Sequence, residues 1–337
     1  MTSSRKVSVL YPVQVQDPRD VLPLAELVRE GGAARLWLGQ SVALESHHVL
    51  AYLAGTGYRI PVGLSVALTA LRHPYDAAVQ ARTLGALTGH PPVVGYGAGE
   101  PGFVAALRGA PYARPAAAVA EYLDVLRRLL HEGRLDHHSG PLFPMRGVVL
   151  PRMSAPAGTA PPEVGAGVLR PGMARAAGSV ADTAITWLTP PAYVRDVLAP
   201  ALEKGARDAG RERPRIVTVV HAVLDRPGRN AMVLAQRGTR FHLCAPHYVD
   251  MLRRAGLDLD VSDPVSSARE LVEEGVFLFG GLREIRAGIE RHFEAGIDEV
   301  VINPVAVAES YGVPAAVADL REILEGGTPD RSLRHTP

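Results

Sequence analysis

Arg59-Ile60-Pro61-Val62-Gly63-Leu64-Ser65-Val66-Ala67 is a short, β-branched run, and Pro74 to Leu87 behind it is a longer amphipathic stretch. The first segment is too short for a stable helix and is bounded by turn residues, so it reads as a buried strand; the second carries helical periodicity. One strand followed by one helix is the unit that decides the fold, because it repeats in both directions along the chain. Upstream, Lys6–Tyr11 is a strand, and Asp17-Pro18 caps a helix that runs to Glu30 and stops at Gly31-Gly32. Ala34–Leu38 is the second strand and Ser46–Ala54 its helix, ended by Gly55 and Gly57. Downstream, the strands are Pro92–Gly95, Glu163–Ala166, Thr183–Thr186, Arg215–Val223 and Glu299–Ile302. The intervening helices are Pro115–His131, Pro171–Ser179, Pro191–Ala209, Leu282–Ala295 and Val313–Leu324.

Eight strands alternating with helices imply an α/β fold with a parallel sheet, which closes most simply as a (β/α)8 TIM barrel. An open, doubly wound sheet is the competing arrangement. Two excursions interrupt the rhythm. Residues 132–162 are rich in Gly and Pro, with a hairpin around Leu135–Leu150; residues 225–280 carry at least one helix. Both are expected at the C-terminal mouth, walling a pocket, because barrels vary in their loops. No short repeat, low-complexity tract or linker divides the chain, so 1–337 reads as one domain with a loose polar tail over 327–337.

The 337 residues carry a formal net charge of +1 and 47% hydrophobic content, enough apolar material for a sizeable core. Balanced charge gives no electrostatic case for nucleic acid or an anionic membrane as partner. No apolar stretch reaches the ~18 residues of a membrane span, and Val7–Tyr11 is too short for a signal-peptide core. Cys244 is the single cysteine, which rules out an intrachain disulfide and a cysteine metal cluster. A cytoplasmic location is expected. His47-His48 and His137-His138 are adjacent pairs, and neighbours on a helix diverge by about 100°, so neither pair chelates alone; no metal is expected. His73 before Pro74 reads as a structural donor at a strand–helix junction, and Arg114, Arg152 and Arg175 read as solvated surface. Gly-x-Ser-x-Gly is absent.

Three segments together resemble the luciferase-like flavin and deazaflavin oxidoreductases, nearest to the methylenetetrahydromethanopterin reductase branch. They are Ile60–Val66 with Arg72-His73-Pro74; the glycine loop Gly95-Tyr96-Gly97-Ala98-Gly99-Glu100; and Pro171-Gly172-Met173-Ala174-Arg175-Ala176-Ala177-Gly178-Ser179-Val180-Ala181-Asp182. Tyr122–Gly133 and Gly280–Ile297 fit too, so the resemblance spans about residues 5–325. It implies a cofactor across the barrel mouth, coenzyme F420 (8-hydroxy-5-deazaflavin) or FMN, and a homodimer by analogy. The cofactor phosphate is expected at the helix start Arg170-Pro171-Gly172-Met173, where N–H groups and dipole favour an anion, with Gly165 and Gly167 allowing close approach. The resemblance further implies a non-proline cis bond at Ser65–Val66 beside the ring, close approach of the ring to Gly97 and Gly99, and a proton-transferring carboxyl at Glu100. As a dinucleotide fingerprint the glycine loop is poor, because Pro101-Gly102 break the chain and no helix opens behind it.

The chain departs from the family at the second strand. Many relatives end it with Asp-His; here the run is Trp37-Leu38-Gly39-Gln40-Ser41, whose polar side chains bond substrate but shuttle no proton near neutrality. That argues against a luciferase-type oxygenation and against an alcohol dehydrogenase. It favours a reductase that delivers hydride from reduced coenzyme F420 to an activated alkene, imine or dehydroamino acid in a small molecule or modified peptide of natural-product biosynthesis. Glu100 is the expected proton donor, its pKa raised by desolvation, with Tyr11 or water in reserve. Gln40, Ser41, Phe143 and His242 are the expected substrate contacts, with Met145, Phe241, Tyr248 and Met251 as further pocket candidates. An FMN monooxygenase and a catalytically silent binding barrel are the alternatives.

Overall fold

The computed structural model describes residues 5–151, 153 and 160–325; Arg152 and the tail lie outside them. In chain order the strands are β1 (Lys6–Leu10), β2 (Leu36–Leu38), β3 (Val62–Leu68), β4 (Val93–Gly97), β5 (Arg134–His138), β6 (Met145–Val149), β7 (Glu163–Gly167), β8 (Thr183–Trp187), β9 (Arg215–Leu224), β10 (Phe277–Gly280) and β11 (Glu299–Asn303). The α-helices are α1 (Leu22–Arg29), α2 (Ser46–Gly55), α3 (Pro74–Thr88), α4 (Pro101–Arg108), α5 (Pro115–Glu132), α6 (Pro171–Val180), α7 (Pro191–Tyr193), α8 (Ala199–Asp208), α9 (Ala231–Leu243), α10 (Pro246–Arg254), α11 (Pro264–Glu273), α12 (Leu282–Glu294), α13 (Val305–Tyr311) and α14 (Val313–Glu325).

Eight strands, β1, β2, β3, β4, β7, β8, β9 and β11, pair in parallel and close through β8–β9 and β11–β1. This is the closed barrel expected from the eight-fold alternation, and the open sheet is excluded. The side-chain period of two sorts lumen residues into layers. At the N-terminal end, buried Glu299 accepts from Ser8 Oγ (2.7 Å) and Trp37 Nε1 (2.8 Å), with an Arg215 guanidinium nitrogen 3.5 Å away. Beside and above it the lumen is apolar, filled by Leu10, Trp37, Val93, Ile185, Val217, Val219 and Val301. One more step along three strands brings Trp187, His221 and Asn303 to the C-terminal mouth.

One sequence expectation is corrected, and the two excursions gain detail. A helix does open behind the glycine loop: Pro101 sits at its first position, where a missing N–H costs nothing, and Gly109 ends it at φ 81°. The second excursion holds three helices, α9–α11, and a short strand, β10, that extends the sheet along the outer end of β9 (Phe277 opposite His221). The first excursion does form the expected hairpin, β5–β6, antiparallel from Arg134↔Val149 to His138↔Met145. It packs on α5, however: Glu121 accepts the backbone N–H of Leu142 (2.9 Å) and Phe143 (2.7 Å).

Candidate active site

A cleft of ≈ 390 Å³ opens at the C-terminal mouth. Its lining comes from the segment after β1 (Tyr11–Val15), the end of β2 (Leu38–Ser41), Ser65 and Val66 of β3, Trp187, Asn303, and Gly238, Phe241, His242 and Tyr248 of the second excursion. Among the described residues, none of the first excursion lines it. Phe143 is thereby corrected: its ring lies against Tyr122 (5.4 Å) and His73 (6.0 Å), in a small aromatic cluster on the outside of the barrel strands. Met145 and Met251 are buried and do not line the cleft either.

Gln40 and Ser41 line the cleft, yet both are occupied. Gln40 accepts the Leu68 N–H on Oε1 (3.2 Å) and donates Nε2 to the Ser41 carbonyl (2.6 Å), bracing β2 against β3. The Ser41 hydroxyl accepts the N–H of Ala43 and Leu44, closing the following turn. Ser65 is buried with its hydroxyl unpartnered, and the Ser65–Val66 bond is cis. Val66 explains several glycines: a Cβ at Gly97 would lie 2.9 Å from its Cγ2, and one at Gly167 3.2 Å. These positions are small because Val66 fills the space. Gly99 serves a turn, at φ 84°, where other side chains are strained. Tyr11 is buried at the end of β1, and burial, with Asp20 adding, pushes its hydroxyl up to about 12. It is a neutral donor at working pH.

Glu100 is corrected. It is the N-cap of α4, and its carboxylate accepts the N–H of Gly102 (2.8 Å) and Phe103 (2.7 Å) at an exposed position. Those bonds hold its pKa below the ordinary carboxylate value, opposite to the rise expected of a proton donor. It does not line the cleft.

α6 begins where expected. Arg170 is its N-cap residue with no side-chain cap, Pro171 occupies the first turn, and the space beside Gly172 is open. Met173 is partly buried against the core. The Arg170 guanidinium pairs with Asp250 of α10 (2.9 Å), and His247 lies close enough to feel both Arg170 and Glu100.

Sequence reasoning missed Trp187, His221 and Asn303. Trp187 Nε1 donates to His221 Nε2 (3.0 Å), and Asn303 Nδ2 lies 3.1 Å from the same nitrogen. His242 stacks on Trp187 (5.5 Å between ring centres, 30°) and meets Tyr248 edge-on (4.8 Å). Burial lowers both imidazoles, His221 well below its ordinary value and His242 to about 4, so both are neutral at pH 7. A signal was present: each of the three missed residues is a polar or aromatic group at the C-terminal end of an apolar strand.

Two other histidines hold local structure. His47 pairs with Glu45 (2.7 Å), and His73 caps α3 by accepting the Tyr75 N–H. Among the described residues, no cluster of three His, Cys, Asp or Glu could hold a metal, and no helix is long and apolar enough to cross a membrane.

The donor set fits a flat heteroaromatic cofactor with an anionic arm: an unpartnered Ser65 hydroxyl, the neutral Tyr11 hydroxyl, aromatic walls at Trp187 and Tyr248, and an uncapped helix start. Barrel and mouth place the candidate site at the C-terminal face, where (β/α)8 enzymes carry theirs. The luciferase-like monooxygenase family model matches residues 2–299, and the chain belongs to that family. Among solved structures, an F420-dependent secondary alcohol dehydrogenase in complex with an F420–acetone adduct aligns at TM-score 0.75, 18% identity, over 97% of this chain and 100% of that one. A coenzyme F420-dependent tetrahydromethanopterin reductase from Methanopyrus kandleri gives 0.69 and 18% over 96% and 98%. A monooxygenase from Streptomyces bottropensis gives 0.71 and 19% over 95% and 98%. Among curated proteins, no sequence matches.

Proposed function

We propose that the chain is a reductase that works with reduced coenzyme F420 and delivers hydride to an activated double bond, an alkene, imine or dehydroamino acid in a small molecule or modified peptide. The observation that carries this reading is the end of β2. Where many relatives hold a histidine, Gln40 is tied at both ends of its amide to backbone and is not free as a base. The coenzyme, when bound, supplies the hydride and reacts poorly with oxygen, so no oxygen-activating imidazole is needed. The chain's residues do the rest. The N–H groups at the start of α6, flanked by Arg170 and His247, are our site for the phosphate. Tyr11 and Ser65 line the cleft with their hydroxyl-bearing side chains, and Trp187 and Tyr248 give it aromatic walls. A substrate carbon left with excess electron density needs a proton; with Glu100 engaged as a cap, Tyr11 is the donor.

One observation favours a second reading, exchange of hydride between an alcohol and a ketone. His242 brings to the cleft an imidazole that the second strand lacks. Incubation of the protein, in air and without it, with reduced coenzyme F420 or reduced FMN and separate panels of enones, imines, dehydroalanine peptides and ketones separates the readings. Reoxidation by the first three panels, at the same rate in air and without it, supports the reductase. Reoxidation by ketones alone supports the second reading. Turnover only with reduced FMN and only in air sinks both.

A further inference from the structure

His221 occupies a lumen position on β9, 1% exposed, level with the cleft residues Trp187 and Asn303 but not itself lining the cleft. The state of its ring is determined by its neighbours. Asn303 Oδ1 accepts the Val305 N–H (3.1 Å), which fixes the amide so that Nδ2, a donor, faces His221 Nε2 at 3.1 Å. Trp187 Nε1 has only a proton to give, and it points at the same nitrogen from 3.0 Å. Two donors converge on Nε2, so Nε2 is the acceptor and the ring proton sits on Nδ1. That Nδ1 is buried and has no hydrogen-bond partner. The ring next to it on the cleft side is His242, edge-on, with centroids 5.5 Å apart and an interplanar angle of 75°. His242 also has a buried Nδ1 without a partner. One orphan is a donor by construction; the other is free to accept.

We infer that His221 is a positioning residue: fixed as the Nδ1–H tautomer by Trp187 and Asn303, it directs that proton toward His242 Nδ1 through one bridging water. His242 then carries its own proton on Nε2, the nitrogen left to face the cleft. The cleft thereby gains a fixed neutral imidazole donor for a substrate oxygen or nitrogen. This deepens the hydride-transfer reading and rests on it for its purpose. The geometry of the three strand residues stands without it. The groups packed on the pair are Trp187, Asn303, Phe277 and Tyr248, with His247 the next titratable group beyond His242.

The test is long-range ¹⁵N–¹H spectroscopy of histidine-labelled protein without cofactor, from pH 5.5 to 8. The expected spectrum shows His221 protonated on Nδ1 and bare on Nε2, unchanged across the range, and His242 with the opposite pattern. His221→Phe removes the donor and should move the His242 tautomer ratio by at least about tenfold. His221→Gln, which can both accept and donate, should restore most of it. If His221 is found protonated on Nε2, or if it titrates within the range, the inference fails. A His242 ratio that ignores His221→Phe also overturns it. The wild-type spectrum decides the His221 tautomer even where the Phe variant does not fold. Failure of coenzyme F420 to bind would sink the proposed function and leave these spectra unaffected.

Discussion

At the residue scale, the fate of Glu100 shows how one hydrogen-bond pattern outweighs a motif. A carboxylate that accepts two backbone N–H groups at a helix start is stabilised in its charged form. Glu100→Gln is therefore expected to keep turnover within about threefold of wild type, below the roughly 10²–10⁴ loss typical of a missing acid or base. Glu100→Ala should speed amide exchange within Pro101–Arg108, since both N–H partners lose their acceptor. Tyr11→Phe should instead lower turnover by about 10² or more at saturating cofactor; an unchanged rate would remove Tyr11 as donor. His221 and Asn303 were legible in principle. Arg215-Ile216-Val217-Thr218-Val219-Val220-His221 and Glu299-Val300-Val301-Ile302-Asn303 each put a polar group on the lumen side of the mouth. Phe143 was not legible, because a loop aromatic carries no period to say which side of the hairpin it serves.

At the element scale, regular units were readable and irregular ones were not. The eight barrel strands and most helices follow from periodicity and caps. β10 escaped because Phe277-Leu278-Phe279-Gly280 is four residues inside a long excursion. α4 escaped because Pro101-Gly102 reads as a breaker, whereas proline at the first helical position is preorganised. Two glycines on neighbouring elements give opposite expectations. A Cβ at Gly205 of α8 would stand 1.9 Å from the Arg175 carbonyl oxygen of α6, a backbone atom that cannot swing away. Gly205→Ala should cost about 1–3 kcal/mol or more, read as a lowered urea midpoint. Beside Gly172 there is open space. Gly172→Asp should stay folded and weaken cofactor binding at least tenfold, about 1.4 kcal/mol, by setting a carboxylate against the phosphate. Unchanged affinity would place the phosphate elsewhere.

At the scale of the whole molecule, buried titratable groups set the acid limit. Burial holds His242 and His292 near 4, so the unfolded chain takes up their protons first as pH falls below the ordinary value of 6.5. Their contribution is complete above 6.5 and is lost between there and about 4. Glu45 adds a lower window: although burial raises its pKa, His47, the His48 N–H and Arg72 bring it to about 2, against an ordinary 4.5. That contribution is present above 4.5 and lost toward 2. Urea unfolding should therefore show stability falling already between pH 6.5 and 5, before most carboxylates titrate, and His292→Gln should flatten that slope. A level stability down to pH 5 would mean that these imidazoles charge in the folded state. Fold and family were both legible at this scale, since eight units and three ordered segments constrain the whole chain. The choice of cofactor and substrate was not, because it depends on a handful of side chains around one cleft. The direct test of the central claim is an equilibrium titration of the purified protein with oxidised coenzyme F420 and, separately, with FMN. The account predicts micromolar or tighter binding of coenzyme F420 and FMN binding at least about tenfold weaker. Tighter binding of FMN, or binding of neither, would contradict it.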